Sequence, residues 1–84
     1  MLFTVYILHS GNLDKYYIGC TGEKIEERIR KHNSNHRGFT GGKGDWVLKY
    51  SELYESKIEA LRREKEIKSK KSRKYIEQLI AQLH

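Results

Sequence analysis

The chain has a single cysteine, Cys20, among its 84 residues. No internal disulfide can close and no cysteine-rich zinc site can be built, which fits a reducing compartment. Apolar runs long enough to span a bilayer are also missing, as are the charged lead-in and cleavage site of a secretory signal. The expectation is a soluble, cytoplasmic protein with no membrane partner. At this length there is no room for a second domain, so 1–84 reads as one domain with a thin core. Such a chain buries only about 60% of the surface its unfolded form exposes. No internal repeat and no disordered tail interrupt it.

What is present is positive charge, and it is concentrated. The formal charge is +6 with a pI near 9.5. Lys57 to Tyr75 holds nine basic and three acidic residues, and the remainder of the chain balances to zero. A polyanion-binding face has this distribution. A solvated lysine-rich helix that only aids solubility accounts for the same residues equally well.

Along the chain, Phe3 to His9 alternates Phe3, Val5 and Ile7 with Thr4, Tyr6 and Leu8. Both sets are largely apolar, as in a strand with neighbours on both sides. The turn-rich "HSGNLDK" leads to "YYIGC", a second strand, and together they signal a hairpin. From Glu23 to His32 the period becomes helical, with Ile25, Ile29 and His32 recurring. Asn33 to Asp45 holds four glycines and no aliphatic residue, so it reads as a loop. "WVLKYSELY" restores strand propensity. "SKIE", with Ser56 and Glu59, is a capping-box signature opening a helix to about Lys70. Ser72 caps a last helix carrying Ile76, Leu79, Ile80 and Leu83. The order β-β-α-β-α-α predicts an α+β domain on a small antiparallel sheet flanked by helices.

Two helical positions raise chemical questions. Glu64 lies beside Ala60, Leu61 and Ile67 at helical spacing, in or next to an apolar stripe. A carboxylate there is costly unless paired or bound to a cation, and an i,i+4 pair with Lys68 is the structural alternative. On the first helix Arg28 and His32 are four apart beside Ile25. A planar bidentate donor and a titratable partner suit a phosphate. Taken alone, an arginine lying over the helix and a capping histidine explain them better.

Other patterns fail. "GGKG" at Gly41 to Gly44 lacks the upstream glycine and the magnesium-binding hydroxyl of a phosphate loop, so it is a flexible basic loop. Its Lys43 joins the candidate nucleic-acid contacts. His32 and His36 have zinc-like spacing with no second ligand pair.

Taken in order, "TVY" with Tyr6, "YIG" with Tyr17, "ERIRKHN" with Arg28 and His32, and "EALRREKEIK" with Glu64 resemble the GIY-YIG nuclease superfamily. The likeness covers the whole chain and is greatest to small single-domain members related to the nuclease domain of the repair excinuclease. It implies a three-stranded antiparallel sheet and a metal-dependent endonuclease acting on DNA, with branched or damaged forms, RNA and a protein partner supplying specificity left open. By resemblance Tyr6 and Tyr17 share an active site, Arg28 binds the scissile phosphate, His32 assists a tyrosine, and Glu64 holds one Mg2+ or Mn2+. Such an ion takes one carboxylate plus waters and substrate oxygens and neutralises charge on the phosphorane. A tyrosine needs cationic neighbours to serve as a base at neutral pH; Tyr6 is expected to activate water and Tyr17 to orient metal-bound water. Cys20 stands where the repair excinuclease has a lysine. The expected nucleic-acid face comprises Arg62, Arg63, Lys68, Lys70, Lys71, Arg73 and Lys74 with Lys43. A non-catalytic nucleic-acid-binding module with the same fold is the alternative.

Overall fold

A computed structural model describes residues 1–34 and 44–82. The elements are β1 (Phe3–Ser10), β2 (Lys15–Thr21), α1 (Ile25–Asn33), β3 (Trp46–Tyr54), α2 (Lys57–Ser69) and α3 (Arg73–Ala81). This is the predicted β-β-α-β-α-α order. The three strands form an antiparallel sheet ordered β2-β1-β3. The central strand is therefore the first one, as its two apolar faces require: Val5, Tyr6, Ile7 and Leu8 are all fully buried.

The alternation of β1 divides the core in two. Val5 and Ile7 pack with Ala60, Ile67, Ile76 and Leu79 of α2 and α3. Tyr6 and Leu8 pack on the opposite face with Trp46, Ile25 and Ile29, beneath α1. One irregularity matters. The β1–β3 register slips between Ile7 and Leu8, which pair with Tyr50 and Leu48, leaving Lys49 as a bulge. A one-residue slip exchanges faces. Trp46 and Leu48 therefore lie with α1, whereas Tyr50, Glu52 and Tyr54 lie with α2 and α3.

Side chains close the connections. Asp45 accepts from Ser10 Oγ and from the Asn12 amide, both at 2.7 Å, tying the hairpin turn to the start of β3. Ser56 and Ser72 cap α2 and α3 by accepting from the Glu59 and Tyr75 amides, as expected. α1 begins two residues later than its periodicity suggests. Thr21 Oγ1 accepts from the Glu23 amide, and Lys24 stays extended at φ −60°, ψ 135°. The buried line of α2 is also narrower than predicted: Ala60 and Ile67 are buried, but Leu61 is 44% exposed. Leu61 is displaced by about 100° from Ala60 around the helix and turns outward. No helix among the described residues is long and apolar enough to cross a membrane. The basic loop with Lys43, together with His36 and Leu83, lies outside the described residues.

Candidate active site

Tyr6 sits at the middle of β1, with its ring on the α1 face. One helical turn separates Arg28 and His32, so both side chains reach the same point below α1. Arg28 Nε donates to the Tyr6 hydroxyl at 3.2 Å, and His32 Nε2 lies 3.0 Å from the same oxygen. Arginine can only donate, so the oxygen accepts from Arg28; its bond to His32 runs in the direction the imidazole tautomer sets. Tyr17, on β2 opposite Leu8, brings its ring centroid to 6.3 Å from Tyr6 and 4.7 Å from His32. The two tyrosines, the arginine and the histidine thus form one cluster. Asn33 holds the end of α1 in place: its side-chain amide donates to the Trp46 carbonyl at 3.0 Å and accepts from the Trp46 amide at 2.7 Å.

Gly19 makes the cluster possible. It pairs with Tyr6 across β1–β2. A Cβ at that position would stand 2.5 Å from the Tyr6 hydroxyl oxygen, 2.6 Å from its Cζ and 3.0 Å from Tyr17 Cε2. No carbon fits there. A glycine inside a strand often marks such a close approach, and its place between Ile18 and Cys20 in the second strand was the available sequence signal.

Burial pushes the Tyr6 hydroxyl above the ordinary tyrosine pKa. The Arg28 guanidinium opposes that rise without reversing it, while Tyr17 and the Glu64 carboxylate add to it. Glu64 is mounted on α2, and its charge also raises the Cys20 thiol, behind the larger effect of burial and against Lys57. The Glu64 side chain is 17% exposed and Oε2 accepts from Lys68 Nζ at 2.9 Å, so the i,i+4 pair is formed. No group of three or more His, Cys, Asp or Glu side chains among the described residues could hold an ion.

The residues of the expected nucleic-acid face on α2, α3 and the junction between them are held in different ways. Arg62, Lys70, Lys71 and Lys74 are exposed, with Lys70 Nζ over the Tyr75 ring at 5.5 Å. Lys68 is held by Glu64, and Arg73 by Asp14 at 2.6 Å and Glu77 at 3.1 Å. Arg63 departs furthest from the expected nucleic-acid face. It is turned inward, with its side chain 19% exposed, onto Glu52 of β3. Neither Glu52 nor Asn33 stood out from the sequence, although a lone carboxylate alternating with Tyr50 and Tyr54 is a visible oddity. Beside Tyr17, a groove of about 650 Å3 runs between β2 and the α2–α3 junction, lined by Tyr17, Ile18, Ile67, Lys68, Lys71 and Arg73 among others.

The model of the GIY-YIG catalytic domain matches residues 2–76. The chain is 34% identical over 65 residues to a UPF0213 protein of Halobacterium salinarum, covering 76% of this chain and 82% of that one. It is also similar to the solution NMR structure of a UPF0213 protein from Bacillus halodurans. That match has a TM-score of 0.62 and 36% identity, covering 99% of this chain and 86% of that one.

Proposed function

Since the chain belongs to the GIY-YIG catalytic-domain family, whose activity is of the nuclease type, we propose that it is a divalent-metal-dependent endonuclease hydrolysing phosphodiester bonds in DNA. The observation that carries this is the convergence of Arg28 Nε and His32 Nε2 on one tyrosine hydroxyl, at 3.2 and 3.0 Å. A packing tyrosine needs one hydrogen-bond partner. A hydroxyl held between a permanent cation and a titratable ring is arranged for proton transfer beside an anion.

The remaining roles follow from exposure. Arg28 keeps part of its guanidinium at the surface, with its side chain 36% exposed, and takes the scissile phosphate. Tyr6 is fully buried and its pKa is raised, so it is not a ready phenolate facing solvent. We therefore assign the two tyrosines the opposite division of labour to the one the resemblance implies. Tyr17, which is partly exposed, meets the attacking water, while Tyr6 and His32 form the proton relay behind it. Glu64 would hold one Mg2+ or Mn2+, which supplies charge neutralisation at the phosphate when bound. Arg62, Lys70, Lys71 and Lys74 supply long-range attraction to the polyanion.

The deciding experiment is a cleavage panel of linear, flapped and junction DNA with an RNA arm, with and without magnesium. Parent protein cuts at least one DNA only with metal, and Glu64→Gln cuts none. A parent inert on every substrate in magnesium and manganese, while still binding DNA, would leave the non-catalytic binding module. The Glu64–Lys68 pair at 2.9 Å is the observation that favours that second reading.

A further inference from the structure

Resting on the reading of Glu64 as the metal ligand, we propose that Arg63 and Glu52 are positioning residues that set the rotation of α2 and so aim the Glu64 carboxylate at the tyrosine cluster. Ala60 and Ile67 are the residues of α2 in the buried core. At about 100° per residue, Arg63 and Glu64 lie about 50° to either side of the line joining them. The helix rests on the sheet along a narrow ridge with one charged residue on each flank. Apolar contact on such a ridge resists translation better than rolling.

The Arg63 flank is clamped. Its Nε and Nη2 donate to Glu52 at 3.0 and 3.1 Å, Nη1 donates to Glu66 at 2.9 Å, and Nη1 also reaches the Tyr75 hydroxyl at 3.3 Å. Glu52 is itself fixed on β3, accepting from the Tyr50 hydroxyl and from the Tyr54 hydroxyl at 2.6 Å. One guanidinium thus joins β3, α2 and α3. Glu52 reaches it because the bulge at Lys49 has moved the later even positions of β3 to this face. On the other flank Glu64 pairs with Lys68, a long side chain that is 53% exposed and rides on the same helix. That pair turns with α2 and cannot fix its rotation. A roll of about 20° about the axis would carry a carboxylate by about 2 Å, and misplacement of about 1 Å costs a site roughly 10²-fold. The clamp and the group it serves thus occupy the two flanks of the buried ridge, about 100° apart around the helix.

Arg63→Lys tests this, because an ammonium keeps the charge but not the planar fork. Mn2+ titration is followed by paramagnetic broadening of the Tyr6 and Gly19 amides, alongside metal-free DNA affinity and cleavage against Mg2+ concentration. Arg63→Lys and Glu52→Gln should each raise the half-saturating metal concentration about tenfold or more, the scale for residues that support a ligand. Metal-free DNA affinity of Arg63→Lys should equal the parent's. The double variant should be no worse than the weaker-binding single, since the two act as one device. Ile76→Val, in the same core, supplies a destabilised control with parental metal response. The proposal is overturned if Arg63→Lys keeps the parental metal response, if Ile76→Val shifts it equally, or if Arg63→Lys weakens metal-free DNA binding. A Glu64→Gln variant that retains broadening at Gly19 removes the metal-ligand reading itself, and is a different result.

Discussion

Gly19→Ala is the smallest change that should break the candidate site. The added methyl carbon would lie 2.5 Å from the Tyr6 oxygen and 2.6 Å from Tyr6 Cζ. Ordinary contact begins near 3.4 Å, so the phenol end must retreat by close to 1 Å. It has nowhere to go: the Tyr6 residue is fully buried, and its oxygen is held by Arg28 and His32. Overpacking of this kind costs about 1–3 kcal/mol. For a domain of this size each kcal/mol lowers the melting temperature by roughly 4–8 °C. The same displacement strips geometry from the hydrogen bonds that define the cluster, so single-turnover cleavage should fall about 10²-fold. Two glycines serve as controls. A Cβ at Gly11 meets only Asp45 Oδ2 at 3.8 Å, and one at Gly22 meets the partly exposed Phe3 ring at 3.1 Å. Gly11→Ala should match the parent and Gly22→Ala should lose a little stability and no activity. Adding Tyr6→Phe to Gly19→Ala removes the 2.5 Å approach but leaves the one to Cζ, so the double variant should cost less than the sum of the two single changes. Melting curves and cleavage rates for the five proteins decide the matter. A Gly19→Ala protein that melts and cuts like Gly11→Ala would refute the close approach on which the site is built.

Three further outcomes are expected. Tyr6→Phe and Tyr17→Phe should each lose cleavage by about 10²-fold or more. Tyr6→Phe should also lose about 1–3 kcal/mol, because Arg28 and His32 are left around a missing oxygen; equal chemical-denaturation midpoints for the two would contradict the buried hydroxyl. Cys20 is a built-in reporter of Glu64. The carboxylate raises the thiol pKa and Lys57 lowers it, so Glu64→Gln should increase the thiolate fraction and speed alkylation at fixed pH. Lys57→Gln should slow it, and parental rates in both would detach Cys20 from this helix. Replacing Lys70, Lys71 and Lys74 by glutamine should flatten the salt dependence of DNA binding. The log–log slope should shrink by up to about 0.9 for each phosphate that the protein no longer neutralises. An unchanged slope would move the binding face away from the α2–α3 junction.

The parts of this molecule that could be read from the chain are those governed by short-range geometry. Alternation along β1 assigns Tyr6 and Val5 to opposite faces, and four-residue spacing on α1 brings Arg28 and His32 together. Serines three residues ahead of an amide cap α2 and α3. None of these depends on distant residues. Arg63 was misplaced for the opposite reason. Either flank of α2 could have faced outward with its charge in water. The choice was made by Glu52, eleven positions away, and Glu52 reached that face only through a bulge that its own strand sequence does not announce. The two flanks of one helix look alike to a periodicity count. Gly19 is similar: its need for an absent side chain exists only once Tyr6 lies across from it.

The sheet itself then explains why a site of this kind can be so small. Tyr6, Tyr17, Arg28 and His32 all lie on the α1 face, whereas Glu64 is carried by a helix packed on the other face with Val5 and Ile7. A carboxylate behind a sheet fully covered by side chains on both faces would be kept at a distance from a tyrosine. Burial is the main cause that raises the pKa of both Tyr6 and Cys20, and the Glu64 charge adds to each although they lie on opposite faces. β2 is an edge strand, and at Gly19 it presents no side chain. The absence of a side chain there admits the Tyr6 hydroxyl on the α1 face. On the proposed reading, the Arg63–Glu52 clamp restrains the roll of α2 and with it the aim of Glu64, while Gly19 admits the Tyr6 hydroxyl to its cluster.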